Sequence, residues 1–170
     1  MSTYTFTQSI DTGPSWGNLT REVFYNYYPS FDDENNLSLI LSLHCNNMHV
    51  MFTGDLEKAG WLELLKNERF KNELRTINVF VASHHGRENG CCEEVFKYCK
   101  PEVVIISDGP HQYETQKTVG WYSQRASGIR FDGKPRRVFS TRSDGYILIE
   151  STPEHTILDT QKRRDKVKAF

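Results

Sequence analysis

The sequence has no apolar run approaching the roughly 18 residues of a membrane span. Its opening, Met1 to Ile10, carries neither the charged start nor the apolar middle of a secretory signal. These two absences predict a cytoplasmic protein with no membrane partner. Net charge is almost missing as well: 21 Lys and Arg against 22 Asp and Glu leave −1. No global field therefore draws the chain to nucleic acid or to an anionic surface, which argues against a passive nucleic-acid coat. An enzyme with a local basic groove stays open. Cysteine is scarce, and Cys45, Cys91, Cys92 and Cys99 include no Cys-x-x-Cys pair, so a zinc knuckle is not expected. These four are read as reduced, buried or half-buried thiols. Internal repeats and low-complexity tracts are also lacking.

What is present fits one domain over residues 1–170, with 37% hydrophobic and 25% charged residues. The chain is organised around Val79 to Arg87, which reads Val-Phe-Val-Ala-Ser-His-His-Gly-Arg. A β-branched and aromatic run predicts a buried strand. It ends in two histidines and a glycine that tolerates backbone angles closed to other residues. Imidazoles at the exit of a rigid strand are suited to binding metal or moving protons. Upstream, Val50-Met51-Phe52-Thr53-Gly54-Asp55 repeats the design with a carboxylate. Two such endings suggest that neighbouring strands deliver ligands to one site. Asp55 has an alternative use, capping the first turn of the helix that follows. A third apolar strand, Val103 to Ile106, ends in Ser107-Asp108-Gly109-Pro110 and adds Asp108 to this set.

The remaining elements follow from periodicity. Residues 1–34 read as loop-rich, with Thr12 to Asn18 rich in turn residues and an acidic loop from Phe31. Leu37, Leu39, Leu41 and Leu43 alternate with other residues at a period of two, and Asn46-Asn47 predicts a tight turn into a returning strand from Met48 to Thr53. His44 and His49 flank that turn and are expected to be exposed hairpin residues, not ligands. Helices are predicted over Leu56 to Leu74, Glu93 to Lys100 and Thr118 to Ser127. Arg137 to Ser140 and Tyr146 to Glu150 read as strands joined in a hairpin by Ser143-Asp144-Gly145. Residues 160–170 form a basic tail, expected to be a solvated helical end.

Taken in order, Asn36 to Leu41, Phe52-Thr53-Gly54-Asp55-Leu56-Glu57, Ser83-His84-His85-Gly86 and Val104 to Ser107 resemble the metallo-β-lactamase fold. The hydrolase domain of the ComEC group is the most similar in flavour, over residues 35–150. The resemblance implies an α/β fold, here half of an αββα sandwich: a mixed sheet with helices on one face. It implies that Asp55 bridges two divalent ions, zinc or manganese, and that one histidine binds one of them. His84 is assigned to the metal, with Asp55 and His85 as the catalytic pair, although the two histidines could exchange roles. Arg87 stands where relatives often carry Ser and could meet a phosphate bidentately. With Asp108, His111 and Tyr113 it makes up the expected substrate contacts.

Two departures matter. The family's earlier His-x-His-x-Asp-His motif, which supplies most metal ligands, is missing from this sequence. The His-Pro of the family is also absent after Tyr113. The resemblance therefore covers the C-terminal half of the fold. A phosphodiesterase or nuclease using metal-activated water is expected only when the missing half is supplied, in cis or by a partner chain; a homo-oligomer and a nucleic-acid substrate are the other partners expected. The alternative is a catalytically incomplete binding or regulatory subunit. A hydrolase of small esters or thioesters on the same fold is a third possibility.

Overall fold

The computed structural model describes residues 17–111 and 113–168, with side chains to residue 165. Most of the loop expected before residue 18, together with Gln112, lies outside the described residues. In chain order the strands are β1 (Thr20–Phe24), β2 (Ile40–Cys45), β3 (Met48–Phe52), β4 (Val79–Val81), β5 (Val103–Ile106), β6 (Ile129–Phe131), β7 (Lys134–Arg136), β8 (Val138–Ser140), β9 (Ile147–Ser151) and β10 (Thr156–Thr160). The α-helices are α1 (Lys58–Leu64), α2 (Glu68–Leu74), α3 (Val119–Ser123), α4 (Thr141–Asp144) and α5 (Gln161–Lys168). Six strands form one mixed sheet in the order β1-β2-β3-β4-β5-β8. The first three run antiparallel, and β3, β4, β5 and β8 run parallel. The fold is thus mixed α/β, compatible with half of a sandwich.

Pleating divides the sheet's side chains between two faces. Ser42, Met51, Phe80 and Val104 are cross-strand partners or neighbours on one face, while Leu43, Val50, Val79 and Val103 share the other. The first face is packed under helices, where Met51, Phe80 and Val104 meet Trp61, Leu64, Phe70, Leu74 and Tyr122. The second face meets Phe131, Ile147, Ile149 and Leu158, from two separate two-stranded ribbons, β6–β7 and β9–β10. That cover is partial. Leu39 is 64% exposed and Phe52 43% exposed at the end of the sheet that carries Asp55.

Several sequence expectations need correction. The segment 1–34 is not loop throughout: Thr20–Phe24 pairs with β2 and buries Phe24 against Phe70. The single helix expected over 56–74 is two, because Asn67 interrupts it and accepts from the backbone N–H of Arg69 and Phe70 as the cap of α2. Strands β8 and β9 are not a hairpin. The Asp144 carboxylate accepts from Ser140 N at 3.0 Å and from Arg136 at 2.5 Å, folding the link into α4. This sends β8 beside β5 and β9 beside β10. Nor are His44 and His49 loose on the surface. They are cross-strand partners with rings stacked at 4.2 Å, and His44 Nε2 lies 2.5 Å from Glu73.

The thiols are free: Cys92 and Cys99 are buried, and Cys45 and Cys91 half-buried. Burial pushes the Cys92 thiol up to about 11 and that of Cys99 to about 12. At about pH 8 neither should react with Ellman's reagent in the native protein, because only the thiolate attacks. All four should react after denaturation. Immediate release of four equivalents from native protein would contradict this packing.

Candidate functional site

The parallel strands β3 and β4 release the chain at the same edge of the sheet, and hydrogen bonds tie the two exits together. Thr53 Oγ1 donates to Val81 O at 2.8 Å, and His84 N donates to Gly54 O at 3.0 Å. Ser83 Oγ donates to Leu56 O, and the Asp55 amide donates to Ser38 Oγ at 3.1 Å. Gly54 has φ +55°, and a Cβ there would lie 2.9 Å from Ser38 Cβ, so the turn that presents Asp55 needs glycine. Asp55 does not cap α1. Glu57 occupies the cap position and makes no side-chain cap hydrogen bond. The Asp55 carboxylate therefore remains available for the site.

His84 and His85 both have left-handed backbone angles, φ +49° and +54°, ahead of Gly86 at +72°. Two successive non-glycine residues in this region are uncommon, and such strain clusters at functional sites. The turn sends the two imidazoles to different partners. His85 is half exposed, and its Nε2 stands 3.6 Å from Asp55 Oδ1. Its Nδ1 is 2.6 Å from Ser107 O. A carbonyl oxygen only accepts, so Nδ1 carries a proton, and in the neutral ring it is the Nε2 lone pair that faces the carboxylate. His84 is mostly buried and places Nδ1 3.4 Å from Glu57 Oε1, without hydrogen-bond geometry. That oxygen also accepts from Asn35 at 2.9 Å and Asn89 at 2.6 Å. The imidazole that meets Asp55 is therefore that of His85, whereas the sequence pointed first to His84.

The Asp108 carboxylate turns inward. Its side chain is 2% exposed, ion-paired with Arg142, and accepts from the Arg142 amide at 3.0 Å and Thr141 Oγ1 at 3.2 Å. Asp108 thus anchors α4 to the end of β5. Arg87 carries its guanidinium 4.9 Å from the ring of Tyr113, and His111 meets the same ring edge-on at 4.7 Å. Gln116 holds this loop to the histidine turn, accepting from Tyr113 N and donating to His85 O at 3.1 Å. The sequence did not single out Ser38, Ser107 or Gln116, which position the pair through backbone contacts. Ser38 and Ser107 at strand ends left a faint signal; Gln116 left none.

Next to the pair opens a cavity of about 690 Å³ on the second face of the sheet. Leu43, Val50, Val81 and Ile105 line it from the sheet and Ile147 and Ile149 from β9, while Asp55, His85, Ser107 and Thr141 form its polar part. As metal donors, an anionic carboxylate and an imidazole with a free Nε2 suit zinc or manganese, and the Ser107 carbonyl orients the ring as such ligands require. They fill two positions only. Among the described residues, no group of three or more His, Cys, Asp or Glu side chains is placed to hold a metal ion.

Fold and site together define an α/β domain that offers a carboxylate–imidazole pair at the exits of parallel strands, open to one side. The sequence is similar to ComE operon protein 3 of Bacillus subtilis (strain 168), 34% identical over an alignment of 93 residues that covers 49% of this chain and 11% of that protein. The chain thus spans a small part of that relative's length. No protein-family model matches. Among the described residues, no helix is long and apolar enough to cross a membrane.

Proposed function

We propose that this chain is the C-terminal half of a metal-dependent hydrolase of the metallo-β-lactamase fold, related to the ComEC group, that cleaves phosphodiester bonds. The approach of Asp55 Oδ1 to His85 Nε2 at 3.6 Å carries this reading. His85 takes the ligand role first given to His84, because its free nitrogen faces the carboxylate. Asp55 supplies negative charge, and Ser107 keeps the imidazole proton on Nδ1. Divalent metal, when bound, would activate water and stabilise the leaving oxygen. A catalytic zinc takes about three protein ligands, so the remainder would come from the half of the sandwich that covers the second face of the sheet. The half-exposed Leu39 and Phe52 and the cavity beside the pair support such a cover.

The test is metal analysis and cleavage assays on the purified chain, alone and with the complementary half. The isolated chain should lose zinc or manganese on desalting and turn over little. The completed assembly should retain metal and cleave DNA, RNA or a generic phosphodiester. Strong cleavage by the chain alone would mean that the ligands have been misidentified. The second reading, a regulatory or binding subunit, is favoured by the two-ligand count. It prevails if the assembly forms but is inert on all of those substrates.

A further inference from the structure

From the environment of Arg87, we infer that this edge of the sheet holds a subsite for a single-stranded nucleotide, with Arg87 on a phosphate and Tyr113 stacking a base. Three buried side-chain polar atoms in the described residues lack a hydrogen-bond partner: His49 Nδ1, His84 Nδ1 and Arg87 Nε. Two of the three belong to the turn that carries the candidate site. Buried polar groups are nearly always satisfied, so an orphan Nε marks Arg87 as a cation to which the fold supplies no anion. Among the described residues, Arg87 makes no hydrogen bond or ion pair through its side chain. Its guanidinium instead lies over the ring of Tyr113, 4.9 Å from the centroid. Guanidinium is always charged and presents a planar fork of donors, which matches a phosphate.

The second half of the ligand is read from the aromatic pair. Tyr113 is 51% exposed although its loop is held down by Gln116, and His111 beside it is also exposed. A fixed, half-open ring next to an unpaired guanidinium fits a ligand with an anion and a flat aromatic group at neighbouring positions. A nucleotide within a single strand has both, and stacking of this kind tolerates any base. Duplex bases are stacked on one another and offer no free face. An isolated phosphate would leave the tyrosine unused. The inference rests on the reading of this edge as a substrate site, yet binding requires neither metal nor the missing half.

The experiment uses the full chain with EDTA present and follows fluorescence anisotropy of a labelled oligothymidylate of about 12 nucleotides. An abasic strand of the same length carries the same phosphates. The thymidylate should bind about tenfold tighter than the abasic strand, and Tyr113→Leu should erase that preference. Arg87→Gln should weaken both strands by a similar factor and flatten the salt dependence, as the loss of a phosphate contact does. Arg87→Lys should restore only part of the affinity. Equal affinity of the wild-type chain for both strands would overturn the inference, as would variants that bind like wild type. Equal competition by heparin, a polyanion without bases, would reduce the surface to a general anion contact and overturn it too. Binding without cleavage by the completed assembly would count against the proposed hydrolase alone.

Discussion

Replacing Asp55 or His85 by alanine should bring cleavage by the completed assembly down to background, a loss on the order of 10³-fold. Each substitution removes a donor that nothing nearby can replace. Among the described residues these two are the pair that meets at the mouth of the cavity. Asp55→Asn is the sharper variant: it keeps the shape and the turn at Gly54 but deletes the charge that would hold a cation. His84→Ala should behave differently. Its imidazole is buried against Glu57, so its removal should lower stability by about 1–3 kcal/mol through lost packing and leave cleavage measurable. The check is kcat/KM for the four variants, with thermal melting to show that each is folded. If His84→Ala is dead and folded while His85→Ala is active, the ligand role belongs to His84, as the sequence first suggested.

Reading the two histidines apart shows where sequence reasoning stops. The apolar runs ending in Gly54-Asp55 and Ser83-His84-His85 were legible as strands because β-branched and aromatic residues buried on both faces leave an unbroken signal. Their convergence followed from strand order. Which imidazole meets Asp55 depends on φ +49° and +54° at consecutive residues, and no periodicity encodes that. The same limit hid the role of Asp108, whose carboxylate is claimed by Arg142 from 34 residues downstream. Local patterning also overreached at Ser143-Asp144-Gly145. The turn residues are there, but the tertiary contact of Asp144 with Arg136 decides that they make a helical turn. Strand β1 was missed because its outward positions are polar and its sequence has one fully buried residue, Phe24. Ribbons β6–β7 and β9–β10 are short and partly cover the second face of the sheet, a cover that the sequence pattern assigned to a partner, another copy or the N-terminal residues.

Trp61→Ala should be among the most damaging changes to stability, at about 3–5 kcal/mol. The indole is 1% exposed in α1 and stacks between Phe70 at 6.1 Å and Phe80 at 6.0 Å, joining α1 and α2 to β4. It also donates Nε1–H to Gly90 O at 3.2 Å. Gly90 packs so tightly under the histidine turn that a Cβ there would sit 2.7 Å from Ser83 O and 3.2 Å from His84 Cβ. The indole thus supports from below the turn that holds two left-handed histidines. Trp61→Phe separates the two contributions: it keeps most of the packing but leaves the Gly90 carbonyl without its donor, for about 1–3 kcal/mol. Urea unfolding should show lower midpoints with an unchanged slope for both variants. In the completed assembly, Trp61→Phe should also lower activity at temperatures where it is fully folded, because Ser83 and the imidazoles beyond it lose their support. A cost below about 1 kcal/mol for Trp61→Ala would mean that the core under β4 closes around the gap and that the histidine turn is held from the Gly54 side alone.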